Sequence, residues 1–199
     1  IFNQLNVLES IHIIFCKSLD TKFTSQIINI TKPFKLKSLF ISELSHVDKS
    51  LQLLLQKSGD YLENFECELN YDEQRLLELI TKYCKNIKFF DFRGPESVST
   101  YQLLQLVENI QQNLNYLSIS IIEYNNTEHI GSTVLQNLGQ ILPFKLEYLN
   151  LYLSFKNTSD LEIFLKNSQN TFIKKLLISN KFQYTHTRKE DTKILFFIK

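Results

Sequence analysis

Glycine and proline are scarce, with 4 and 3 residues among 199, and methionine is absent. So few glycines leave little material for phosphate-cradling loops, and no Walker loop, GxGxxG turn or GxSxG elbow occurs. Cysteine is also rare. Cys16, Cys67 and Cys84 are odd in number, widely spaced and free of any CxxC pair, which argues against a disulfide framework and a structural zinc site. Reduced cysteines suit the cytoplasm or nucleus. None of His12, His46, His129 and His186 falls in an HExxH pattern, so each reads as a surface or strand-edge residue. Charge of one sign is lacking too. A formal net charge of +1 provides no field for nucleic acid or anionic lipid. No apolar run approaches a membrane span, and no signal peptide opens the chain. The glycosylation sequons at Asn29, Asn125 and Asn157 match what chance gives an Asn-rich sequence. A first residue of Ile, with no Met anywhere, reads as a piece of a longer protein.

What the chain does hold is apolar and aromatic residues, 43% and 13% of the total, a globular composition. They recur. The pattern L-x-x-L-x-L, with Ile, Phe or Cys admitted at the apolar places, starts at Leu8, Leu36, Leu62, Ile87, Leu114, Leu146 and Ile173. Permissive residues make up 77 of the 199 positions, so a given site matches by chance about 6% of the time. One match therefore means nothing. Seven at offsets of 28, 26, 25, 27, 32 and 27 residues indicate a repeat.

Segments with helical apolar spacing follow the motifs. Val47, Leu51, Leu54 and Leu55 share one helical face, as do Leu76, Ile80, Tyr83 and Cys84. So do Leu103, Leu104, Val107 and Ile110, and then Val134, Leu135, Leu138, Ile141 and Leu142. Ser99–Gln102 and Ser159–Glu162 read as capping boxes, and Asn70–Glu73 resembles one. Gly94-Pro95, Asn125-Asn126 and Pro143 punctuate the joins.

A strand and a helix in each unit predict stacked parallel strands near residues 10–14, 38–42, 64–68, 89–93, 116–120, 148–152 and 175–179, with the helices outside. Such crossovers wind right-handed, and strands pack closer than helices, so the stack is expected to bend into a horseshoe with the sheet on its concave face. The motif resembles the leucine-rich repeat, which often continues with Asn or Cys three places after the last Leu. Here Cys16 and Asn70 stand at that place and read as turn-stabilising residues, while Leu44, Pro95, Ile122, Ser154 and Lys181 occupy it in the other repeats. Unit length, outer helices and the phrases LKSLFIS, LEYLNLYL and KYCKNIKFFDF look similar to the cysteine-containing repeats of F-box/leucine-rich-repeat proteins in AT-rich fungal genomes. That resemblance implies one domain over residues 1–199, an α/β leucine-rich-repeat solenoid of about seven repeats. It further implies the substrate-recognition part of an F-box-type (SCF) ubiquitin ligase. A cullin-ligase adaptor is a partner only if an F-box lies upstream, because none precedes Leu8 here. The alternative is a leucine-rich-repeat interaction module unrelated to ubiquitination.

Alternation along each strand sends offsets two, four and six from the motif Leu to the concave face. The first repeat contributes Ser10, His12 and Ile14. From the full set, Phe40, Glu66, Glu68, Phe89, Asp91, Arg93, Tyr116, Tyr148, Asn150 and Tyr152 form the candidate protein-binding surface. The aromatics read either as interface anchors or as residues that simply favour strands. Glu66, Glu68 and Asp91 read as solvated or partner-contacting acids, on an open sheet with no pocket to raise a pKa. Cys67, at an inward motif place, and Cys84, on a helical apolar face, read as inert core. The expectation is a binding scaffold for a protein substrate, not an enzyme, with no catalytic residue, metal, cofactor, nucleic acid or membrane.

Overall fold

The computed structural model describes residues 8–15, 22, 25, 35–42, 47, 49–69, 74–122, 130–155, 157–180 and 192–196. Several expectations lie outside them: Cys16, Leu44, Asn70 with its cap to Glu73, Asn29, Asn125-Asn126, Lys181, His46, His129 and His186. Within them the chain is an α/β array. Strands β1 (Ser10–Ile14), β2 (Ser38–Ser42), β3 (Asn64–Glu68), β4 (Phe89–Pro95), β5 (Tyr116–Ile122), β6 (Tyr148–Leu153) and β7 (Lys175–Asn180) lie in sequence order in one sheet. All six pairings among these seven are parallel, and each keeps the repeat register, as in Leu39↔Phe65, Phe65↔Phe90, Phe90↔Leu117 and Leu117↔Leu149. Helices α1 (Lys49–Ser58), α2 (Gln74–Tyr83), α3 (Thr100–Ile110), α4 (Ile130–Ile141) and α5 (Thr158–Asn167) alternate with them.

One strand was not expected. β8 (Thr192–Phe196) pairs with β7 in the antiparallel sense and extends the sheet to eight strands. No L-x-x-L-x-L match marks it, because an antiparallel edge strand needs no crossover helix and so no repeat.

Burial follows the motif. Leu39, Phe65, Phe90, Leu117, Leu149 and Leu176 are buried, as are the residues two places on, and they join the helical apolar faces in a single cluster running from Ile13 to Ile178. Cys67 and Cys84 belong to it, and burial pushes both thiols up, that of Cys84 to about 12. Adjacent units are also stitched by polar rungs. Ahead of each strand from β1 to β6, one carbonyl accepts two backbone N–H groups from the next unit. Glu9 receives Lys37 and Ser38, Glu63 receives Lys88 and Phe89, and Glu147 receives Lys174 and Lys175. Opposite charges stand at those same places in three pairs of adjoining units, and Lys37–Glu9, Lys88–Glu63 and Lys174–Glu147 pair at 2.7, 2.9 and 2.8 Å. Each pair is exposed and worth at most about 1 kcal/mol, so together they select register more than they stabilise it.

Two caps differ from expectation. Ser99 does accept from Gln102 N at 3.4 Å, but the Gln102 side chain turns to Glu78 on the neighbouring helix instead of closing the box. Helix α5 begins before Ser159, at Thr158, with Asn157 as its N-cap residue. Asp160, in the first turn, instead accepts from Gln136 Nε2 of α4 at 2.7 Å. Close approach of units also explains Gly131. A Cβ there would overlap the Ser154 carbonyl just after β6.

Candidate functional site

The strand face opposite the core is open, and the register lays its side chains out in three rows. The first runs Ser38, Asn64, Phe89, Tyr116, Tyr148, Lys175; the second His12, Phe40, Glu66, Asp91, Ser118, Asn150; the third Ile14, Ser42, Glu68, Arg93, Ser120, Tyr152. All ten candidate residues therefore stand on one face of adjoining strands.

In the first row the aromatics form a ladder. Phe89 stacks on Tyr116 with centroids 4.1 Å apart, and Tyr116 on Tyr148 at 4.5 Å with an interplanar angle of 2°. Lys175 Nζ closes the stack, 5.2 Å from the Tyr148 centroid. In-register parallel strands place like positions about 4.8 Å apart, which is the spacing stacked rings require. The three rings are half-buried. A second stack joins His12 to Phe40, with centroids at 4.3 Å.

The polar positions are also cross-linked. Asn64 Nδ2 donates to Ser38 Oγ at 2.9 Å, Asn150 Nδ2 to Ser118 Oγ at 3.2 Å, and Ser42 Oγ to Glu68 Oε2 at 3.2 Å. Arg93 sits between carboxylates, its Nη2 3.8 Å from Glu66 Oε1 and 3.7 Å from Asp91 Oδ2.

Asp91 corrects the expectation of a solvated acid. Only 7% of it is exposed, and Oδ1 has no hydrogen-bond partner. Burial pushes its carboxyl above the usual range, against the opposing pull of the Arg93 guanidinium and a Ser118 hydrogen bond. Open sheet faces expose side chains on average, but this side chain is short and stands in register between Glu66 and Ser118, the latter itself only 3% exposed. Tyr116 is pushed up to about 12, by burial first and then by the Asp91 charge. Glu66 and Glu68 remain half-buried.

Sequence reasoning placed His12, Ser42 and Ser118 on this face or its rows without weighing them as site residues. Their roles as stacking partner and hydrogen-bond bridge come from what lies on the adjacent strand. Among the described residues no group of three His, Cys, Asp or Glu side chains is placed to hold a metal ion, and no helix is long and apolar enough to cross a membrane. No family model matches the chain, and no curated protein is significantly similar to it in sequence.

Proposed function

We propose that this chain is a leucine-rich-repeat protein-binding scaffold and that the open sheet face receives the partner. The observation that carries the reading is the Phe89–Tyr116–Tyr148 ladder, aromatic area on an open face between polar rows. Half-buried aromatics held rigid by their neighbours lose little entropy on binding, which is what interface anchors need. Strands about 4.8 Å apart and helices about 8–10 Å apart favour a stack that curves with this face inside, the horseshoe of the leucine-rich-repeat family. Acids on such a face have a binding role and no catalytic one in this reading. Substrate recognition within an F-box-type ubiquitin ligase is the form that the repeat resemblance favours. Recovery of a cullin and its adaptor with the full-length protein tests that assignment separately.

The test of the scaffold itself is partner capture. Replacing Tyr116 and Tyr148 by Ala should weaken capture strongly at a temperature where the variant stays folded by circular dichroism. Replacing Gln105 and Glu108, exposed on α3, should leave capture intact. The opposite pattern would move the binding surface to the helices.

A further inference from the structure

We infer that a second docking surface lies on the rim where the strands begin, and that it takes a partner-protein segment in which an aromatic side chain is flanked by Asp or Glu. The seat is a groove of about 290 Å³ lined by Asn115, Phe144, Lys145, Glu147, Phe172 and Lys174. All six stand just ahead of β5, β6 and β7, so this surface is apart from the open face and does not depend on that assignment.

Two phenylalanines mark it. Phe144 and Phe172 are 61% and 69% exposed, and their rings meet edge to face with centroids 4.8 Å apart. The core does not use them, because Leu142, Leu146 and Ile173 fill the buried places beside them in the chain. A lone exposed apolar residue is ordinary, but two in contact make a patch that gains by being covered. The pair is also held in place. The Phe172 N–H donates to the Phe144 carbonyl at 3.1 Å, and the Leu146 N–H closes the turn onto the Pro143 carbonyl at 3.2 Å. A backbone fixed in advance has little entropy to lose when a guest arrives.

Charge selects the flanks of the guest. The groove is lined by Lys145, Lys174 and one acid, Glu147, which already pairs with Lys174 at 2.8 Å. None of the ion pairs among the described residues engages Lys145 or the next lysine along, Lys175, and both are exposed. Lys175 has a ring contact instead, 5.2 Å from the Tyr148 centroid. Lys145 in the groove and Lys175 at its border therefore remain for the flanking carboxylates. An aromatic guest adds ring contacts with the phenylalanine pair beyond the area it buries. A concave seat with a carboxylate in its lining favours a peptide side chain over an anionic lipid surface, which calls for protruding apolar groups among cations alone.

The experiment is a titration of the isotope-labelled chain with acetyl-Gly-Asp-Phe-Asp-Gly-amide, read by amide chemical shifts. Saturable shifts around Phe144 and Phe172 with millimolar affinity are expected. Binding should fall at least about fivefold when the peptide carries Asn for Asp, when it carries Ala for Phe, and in the Phe144→Ala/Phe172→Ala variant. Parent-like amide dispersion establishes that this variant is folded. Lys145→Gln, which alters no core packing, should weaken binding about twofold or more and decides the matter if the alanine pair misfolds. The Tyr116→Ala/Tyr148→Ala protein should bind the peptide as the parent does, which separates this surface from the open face. No saturable shift in the parent, equal binding of either altered peptide, or parent-strength binding by the rim variants overturns the inference. Loss of binding in the tyrosine variant also overturns it, by placing the peptide on the ladder. So does sedimentation of the parent with phosphatidylserine vesicles in place of peptide binding, which would give the rim to a membrane.

Discussion

Replacing Leu117 by Ala tests the continuity of the core at its centre. Leu117 is fully buried on β5, with Phe90 and Leu149, also fully buried, at the paired positions on either side. The substitution removes three carbons. At about 0.8 kcal/mol each, lost transfer energy alone comes to about 2.4 kcal/mol. The void adds to this at about 24 cal/mol per Å³ that the surroundings fail to fill. Collapse is limited here, because each neighbouring strand is held in register by its own backbone ladder and cannot slide toward the gap. A total of about 3–4 kcal/mol follows. In a urea titration that loss should lower the midpoint by about 1 M or more, with an unchanged slope. A loss below about 1 kcal/mol would refute the reasoning, because Leu117 would then not bridge its neighbours across the sheet.

Three further outcomes follow from particular contacts. Asp91→Asn should be no less stable than the parent at neutral pH. The folded-state pKa of Asp91 is raised, so its contribution is full below the unfolded pKa and is lost as pH rises through the folded one. Denaturant midpoints across the acid range should therefore show the two proteins converging as pH falls, and a clearly destabilised variant at neutral pH would contradict this. Gly131→Ala, by driving a Cβ into the Ser154 carbonyl, should cost about 1–3 kcal/mol or more in thermal unfolding, whereas an ordinary helix interior would gain from that change. Cys67 and Cys84 should stay unmodified by a thiol reagent in the native protein and react on denaturation, read by peptide mass mapping, because both thiols are buried and raised. Modification of either under native conditions would show that the core opens.

Much of the architecture was written in the order of residues. Period-two alternation inside each motif and helical spacing after it placed the seven parallel strands, because each unit buries its apolar face only against copies of itself. The alternating Glu9, Lys37, Glu63 and Lys88 were legible too, though only once the units are aligned by register. The ten candidate residues were assigned to one face by the same alternation. What the linear sequence left undecided lies across strands and between units. β8 carries no motif, and whether Tyr116 stacks depends on Phe89 and Tyr148, which are 27 and 32 residues away. Asp91 looked like any surface acid. Its burial raises its carboxyl against the opposing pull of Arg93 and Ser118, and both effects depend on how the strands pack. Periodicity tells which way a side chain points, because direction is a property of its own backbone. Solvation and charge depend on neighbours that only the tertiary structure brings together.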